Sequence, residues 1–234
     1  VKIGILETGR PPDELLVEHG TYATMLMGLL DPNLERYKYT VFDVQAGGLP
    51  DQPESFDGYL ITGSSAGVYD GHRWIGELKT FLQGAKGKAK LVGVCFGHQI
   101  MAEAFGGEVR KSERGWGVGL HRYALQSPAD WIDAGAESFA VPASHQDQVI
   151  APPPAARVLA ANDHTPFAAL VYEDQPAISF QGHPEFSPAY AAALTERRRG
   201  AKLSDSEVDR AVDSLKAPND SARVAGWIRD FLEG

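Results

Sequence analysis

The segment Leu91-Val92-Gly93-Val94-Cys95-Phe96-Gly97-His98-Gln99-Ile100-Met101 constrains the fold more than any other stretch of the chain. Leu91 to Val94 is an apolar, valine-rich run that reads as a buried strand, and Ile100, Met101, Ala104 and Phe105 then recur at helical spacing. Between the two stands Cys95, the single cysteine of 234 residues, with Gly93 and Gly97 two positions to either side. A chain that turns from strand to helix within about one residue crowds its own backbone, so glycine flanks are what the turn demands. The pattern is a nucleophile elbow with a sulfur in place of the serine hydroxyl. It leaves Cys95 at a helix N-terminus, where free N–H groups and the helix dipole favour an anion. Settings of this kind lower a thiol pKa from about 8.5 to roughly 3.5–7.5, which produces the nucleophilic thiolate. The plainer alternative is a small buried core residue, the commoner fate of a lone cysteine. The elbow alone does not decide between them.

The flanking sequence supplies a sheet for this elbow to sit on. Val1–Leu6 reads as a first strand, followed by a polar loop from Glu7 to about Glu18. Tyr22, Leu26, Leu29 and Leu30 mark a helical face closed by Asp31-Pro32. Tyr39–Val44 and Gly58–Thr62 are further strands, the latter running into the small-residue loop Gly63-Ser64-Ser65-Ala66-Gly67. Trp74, Leu78, Phe81 and Leu82 give the next helix. Strands alternating with helices predict an α/β fold, a mostly parallel sheet with helices on both faces. After Phe105-Gly106-Gly107 the pattern changes to short strands at Val118–Ala124, Gln148–Ile150, Val158–Ala161 and Ala168–Tyr172. This predicts an antiparallel excursion before the sheet resumes at Ala177–Phe180, with Pro152-Pro153-Pro154 as a surface turn. The remainder, residues 187–234, reads as a helical C-terminal extension of one domain spanning 1–234. Ser187-Pro188 is an N-cap with proline at the first helical position, and Ser204–Glu207 is a capping box. Val224, Trp227, Ile228, Phe231 and Leu232 form an apolar stripe suited to docking on the core or, alternatively, to a subunit interface.

Composition narrows the function classes. At 43% hydrophobic and 23% charged residues the chain is ordinary for a globular protein, and no apolar run is long enough to span a membrane. The 22 basic and 31 acidic residues give a net charge of −9, which argues against nucleic acid as the main partner. The densest basic cluster, Arg197-Arg198-Arg199, reads as the last turn of a helix, where cations suit the dipole. A single cysteine and an N-terminus that begins directly as a strand fit a reducing compartment and a cytoplasmic location.

A thiolate nucleophile needs a base and a group that orients the base. Gln181-Gly182-His183-Pro184-Glu185 follows the strand Ala177–Phe180, and in a parallel sheet the strand C-termini share one edge. His183 can thus meet Cys95, with Glu185 two residues on to hold the imidazole in the required tautomer. Among the seven histidines, His98 suits packing, while His19, His72, His121 and His164 show no partner pattern. His145 stands in the polar run Ser144-His145-Gln146-Asp147. No spacing suggests a metal site, and no cofactor motif is present.

Taken together, Gly93-Val94-Cys95-Phe96-Gly97-His98-Gln99, Gly182-His183-Pro184-Glu185 and Ser144–Asp147 resemble the class I, triad-type glutamine amidotransferases, from the first strand to about Phe186. The nearest subgroup is similar to the glutaminase part of GMP synthase and to the γ-glutamyl peptidases. The resemblance implies a flavodoxin-like fold. It also implies that Cys95 attacks the γ-carbonyl of a small-molecule γ-glutamyl substrate to form a thioester, with His183 transferring the proton and Glu185 orienting it. Backbone N–H groups of Gly63 and Phe96 match the family's oxyanion hole, and one such donor is worth about 2.7–4 kcal/mol of barrier. Gln99, Ser144, His145, Gln146 and Asp147 match positions that grip the γ-glutamyl α-groups. Gly117, in Gly115-Trp116-Gly117-Val118-Gly119, stands where relatives often carry an acidic residue on the leaving-group side.

The leading expectation is therefore a cysteine-dependent hydrolase of glutamine or of a γ-glutamyl peptide or amine. A second is a glutaminase subunit that supplies ammonia to a separate synthetase partner, since this sequence has no synthetase domain attached. A third is a non-catalytic binding protein on the same fold. An α/β-hydrolase is excluded by order, because its acid precedes its histidine whereas Glu185 follows His183.

Overall fold

The computed structural model describes residues 1–234, and in it the alternation of strand and helix resolves into one long sheet. The first part of the chain runs β1 (Lys2–Glu7), α1 (Asp13–His19), α2 (Tyr22–Leu30), β2 (Lys38–Asp43), β3 (Gly58–Ile61), α3 (Arg73–Ala85), β4 (Lys90–Val94) and α4 (Phe96–Ala104). The second part runs β5 (Glu108–Lys111), β6 (Gly117–Leu125), β7 (Ser138–His145), β8 (Asp147–Ala151), β9 (Ala156–Ala161), β10 (Ala169–Tyr172) and β11 (Ala177–Phe180). Three helices close the chain, α5 (Pro188–Glu196), α6 (Asp205–Ser214) and α7 (Ser221–Glu233).

Nine strands lie in the order β2-β1-β3-β4-β11-β10-β9-β6-β7. The pairs from β2 to β11 are parallel and those from β11 to β7 antiparallel. The antiparallel excursion thus extends the parallel sheet sideways, and only β5 and β8 form a separate ribbon. Side-chain alternation divides the core. Ile3, Ile5, Leu60, Val92 and Val94 point to the face covered by α2 and α7, while Leu6, Tyr59, Ile61 and Leu91 point to the face covered by α3 and α4. Val224, Trp227, Ile228 and Leu232 of α7 are buried in the first of these layers, with Phe231 packed at its margin. The apolar stripe therefore docks on the sheet.

Three expectations are corrected. The polar stretch after β1 contains α1, a helix with no buried residue and hence no apolar period to reveal it. It begins after Pro12 and ends at Gly20, whose φ of 75° stops the helix. β7 was not expected because Pro142 interrupts its sequence, but β7 is the edge strand of the sheet, where a residue without an N–H is tolerated. Arg198 does not cap a solvated helix end: α5 stops at Glu196, and the next turn carries Arg198 into a cavity. Ser187 caps α5 by accepting from the Tyr190 N–H, and Ser204 and Glu207 form the capping box of α6, both as the sequence indicates. No helix is long and apolar enough to cross a membrane.

Candidate active site

Because β3, β4 and β11 are adjacent and parallel, the loops leaving their carboxyl ends emerge side by side. These loops carry Gly63, Cys95 and His183. Sequence fixes each loop; strand order makes them neighbours.

At the end of β4 the Cys95 backbone adopts φ 52° and ψ −103°, a conformation a side chain rarely takes and one that stores about 1–3 kcal/mol. Surrounding contacts hold it there. The Cys95 N–H donates to the Phe180 carbonyl at 2.8 Å, and the Gln99 N–H donates to the Cys95 carbonyl at 3.0 Å. Both flanking glycines are sterically required. A methyl group on Gly97 would lie 2.2 Å from the Ile61 carbonyl oxygen, and one on Gly93 would lie 2.6 Å from the Gly97 backbone. The elbow is thus a three-way backbone contact between β3, β4 and α4.

His183 is fixed from the opposite side. Its N–H donates to the Pro142 carbonyl of β7 at 2.7 Å, its ring stacks on Phe186 at 3.8 Å between centroids, and its Nδ1–H donates to Glu185 Oε1 at 2.7 Å. Gly182 permits this approach, since a methyl group there would lie 2.7 Å from Val141. With Nδ1 engaged, Nε2 is the nitrogen left for the thiol. Cys95, His183 and Glu185 are all buried. Burial disfavours the imidazolium, but the Glu185 carboxylate and the Cys95 sulfur together outweigh it and push the His183 pKa up to about 10. A methyl group built on Gly63 would lie 3.1 Å from His183 Cε1 and 3.8 Å from Cys95 Cβ, so the imidazole and the cysteine meet over Gly63. The Gly63 loop is anchored by Thr8, whose hydroxyl donates to the Thr62 and Gly63 carbonyls at 2.9 and 3.1 Å. The N–H groups of Gly63 and Phe96 donate to no other backbone group. They are free for a ligand oxygen.

The Ser144–Asp147 run lies at the end of β7, beside the elbow. Gln99 ties it to α4, its Nε2 donating to the Asp147 carbonyl at 2.8 Å and to Gln181 Oε1 at 3.1 Å. Asp147 accepts from the Tyr69 hydroxyl at 2.9 Å, and Ser144 Oγ accepts from Arg198 Nη1 at 2.7 Å. Gln99, Ser144, Gln146 and Asp147 all line a lobe of the cavity over Cys95. His145 lines the same lobe, yet its imidazole is almost wholly buried, and with His121 and His164 it forms a cluster whose ring centroids lie 5.5–6.5 Å apart. Burial lowers all three pKa values, and repulsion from neighbouring histidines adds to it at His121, pushed down to about 4, and at His145, pushed well below its ordinary value, as Arg114 does at His164. The arrangement holds no group of three or more ligating side chains suited to a metal ion. Sequence showed no partners for His121 and His164 because strand pairing, and not spacing, brings them to His145.

Gly117 also finds its explanation here. It pairs with His145 across β6 and β7, and a methyl group on it would lie 2.9 Å from His145 Nε2 and 3.1 Å from His164 Nε2. An acidic side chain has no room behind the histidine cluster. His98 is a packing residue, its Nδ1 paired with the Ser179 hydroxyl at 2.8 Å and its pKa pushed down to about 3 by burial.

The chain matches the model of the glutamine amidotransferase class-I family over residues 32–197. It belongs to that family. Gamma-glutamyl peptidase 2 of Arabidopsis thaliana is 29% identical over 234 residues, spanning 96% of this chain and 93% of that protein. The glutamine-hydrolyzing GMP synthase of Trichormus variabilis is 37% identical over 95 residues, which is 41% of this chain and 17% of that protein. Among solved structures, a glutamine amidotransferase of Thermotoga maritima superposes with a TM-score of 0.71 at 16% identity, covering 100% of this chain and 99% of that one. That likeness establishes the α/β fold, whose sheet is parallel from β2 to β11 and antiparallel from there to β7. As a class I amidotransferase the chain is an enzyme of the amide-hydrolysing type.

Proposed function

We propose that this enzyme hydrolyses the γ-amide bond of a γ-glutamyl compound through a cysteinyl thioester and releases glutamate. The convergence of Cys95, His183 and Glu185 at one sheet edge carries the reading. The proton of Cys95 rests on His183 Nε2, which Glu185 holds as the imidazolium, and the sulfur adds to the γ-carbonyl carbon. The resulting oxyanion accepts from the Gly63 and Phe96 N–H groups. Collapse breaks the C–N bond, and the amine leaves with the proton from His183. Water, deprotonated by the same imidazole, then attacks the thioester, expels the Cys95 sulfur and yields glutamate. Glu185 fixes the tautomer and stabilises the imidazolium throughout. In this reading Gln99 and the Ser144–Asp147 run hold the glutamyl α-ammonium and α-carboxylate, Asp147 matching the former. His145 contributes by position within the run, since its imidazole is committed to packing. A thiol nucleophile acts in its reduced form, which fits the cytoplasm.

Glutamate release from γ-glutamyl p-nitroanilide and from glutamine tests the reading. It requires release by the native enzyme and its loss in Cys95→Ala; equal turnover in the two ends it. Similarity to a segment of a GMP synthase favours a second reading, ammonia supply to a separate synthetase. That reading requires negligible glutamine hydrolysis alone and strong stimulation by a copurifying synthetase.

A further inference from the structure

The cavity over Cys95 has two lobes, one of mixed charge and one with cations alone. The lobe of about 280 Å³ that includes Gln99 and the Ser144–Asp147 run carries both signs, with Asp70 and Asp147 against Lys111 and against Arg198 and Lys202, which stand at the boundary and line both lobes. The lobe of about 400 Å³ that includes His183 is walled by Arg10, Arg197, Arg198 and Lys202 and by no carboxylate. In a chain of net charge −9 this one-sided wall is not an accident of composition.

Not all four charges are free. Arg10 pairs with Asp43 at 2.9 Å and Arg197 with Glu14 at 2.7 Å. Arg198 and Lys202 have no such partner. They approach one aromatic ring, the Arg198 guanidinium 4.4 Å and the Lys202 ammonium 5.5 Å from the Trp116 centroid. Arg198 is half-buried and held by its bond to Ser144 Oγ; burial lowers its pKa, yet a guanidinium stays charged at any ordinary pH. Two unpaired cations side by side repel each other, and a bound anion relieves that repulsion.

Which part of a substrate supplies the anion follows from the position of the acid. His183 must reach the leaving nitrogen, and it lines the cationic lobe only. A γ-glutamyl head is a zwitterion, matched by Asp70, Asp147 and Lys111 of the two-signed lobe, so the leaving group lies in the lobe with His183, within reach of Arg198 and Lys202 at the shared boundary. Resting on the reading of Cys95 as nucleophile, we propose that Arg198 and Lys202, braced by Trp116, select γ-glutamyl amino acids and peptides whose leaving amine bears a free carboxylate. Glutamine and γ-glutamyl amines offer no carboxylate on the leaving-group side.

The test compares γ-glutamyl-glycine with γ-glutamyl-glycinamide, which differ in that carboxylate, and with γ-glutamyl-ethylenediamine. The native enzyme is expected to favour γ-glutamyl-glycine over the glycinamide by about tenfold in kcat/KM, a preference that shrinks with added salt. Lys202→Glu should invert the order toward the ethylenediamine compound, and Lys202→Arg should restore it. Equal kcat/KM for glycine and glycinamide, or an order unmoved by Lys202→Glu, overturns the proposal. Calorimetry on Cys95→Ala reads the same preference as binding, without turnover. A charge preference in binding with no turnover by the native enzyme keeps the selectivity and removes the hydrolase reading; turnover without preference does the reverse, and absence of both removes both.

Discussion

The two walls of the cavity are built by different means. On the sheet side, Gly63, Cys95 and His183 are placed by backbone contacts: a strained residue at the end of β4, glycines that admit no methyl group, and an N–H bond from His183 to the edge strand. On the helical side, Arg198 and Lys202 reach the cavity on long side chains from a turn after α5, steadied by one ring and one hydroxyl. Chemistry that needs sub-ångström placement rests on the first kind of wall. Choice among leaving groups tolerates the second. A family can keep one and vary the other.

Substitutions can break or sharpen this contrast. The largest effect falls on the nucleophile: Cys95→Ala should reduce kcat for any γ-glutamyl substrate by about 10⁴-fold or more, measured as glutamate release. Glu185→Gln keeps the shape but loses the charge, and kcat/KM should fall by about 10²–10⁴-fold. Its pH profile is the sharper readout. The Glu185 carboxylate raises the His183 pKa, so the protonated imidazole persists until pH passes the raised value, near 10, and the alkaline limb of kcat/KM lies there. Without the carboxylate the limb should move down toward the ordinary imidazole range, about 6.5. An unmoved limb would show that the limb reports some other group.

Stability effects should be smaller and confined to the sheet side. Gly97→Ala forces a methyl group against the Ile61 carbonyl and should cost about 1–3 kcal/mol, lowering the melting temperature by about 2–4 °C per kcal/mol. Gly71→Ala, with nothing within 4 Å of the added methyl group, is the matched control. Lys202→Ala is the smallest, within about 0.5 kcal/mol, because its side chain is exposed. If Lys202→Ala proved as destabilising as Gly97→Ala, the contrast between the walls would fail.

The same contrast explains what could be read from the sequence. Cys95 was legible because backbone geometry demands glycine at two fixed positions around it. Glu185 was legible because two residues of separation suffice for the bond to His183. The parallel arrangement of β1 to β4 followed from alternating strands and helices, and the caps of α5 and α6 from local chemistry. Strand order was not written locally: nothing in β11 states that it inserts between β4 and β10, and that insertion brings His183 to Cys95, while the pairing of β6 with β7 sets His121 near His145. Arg198 was missed because Arg197-Arg198-Arg199 has the composition of a solvated helix end. Arg197 and Arg199 behave that way, pairing with exposed carboxylates, while Arg198 alone turns to Trp116. Helix α1 gave no signal because it is short and no residue of it is fully buried.

The account rests on covalent attachment of the glutamyl group to one sulfur. Acid-quenched samples taken during turnover of γ-glutamyl p-nitroanilide, digested and weighed by mass spectrometry, read this directly. The peptide containing Cys95 should gain the mass of one γ-glutamyl group, and the gain should vanish when hydroxylamine cleaves the thioester. Steady glutamate release with Cys95 unmodified at every quench time, and with turnover retained in Cys95→Ala, would contradict the account.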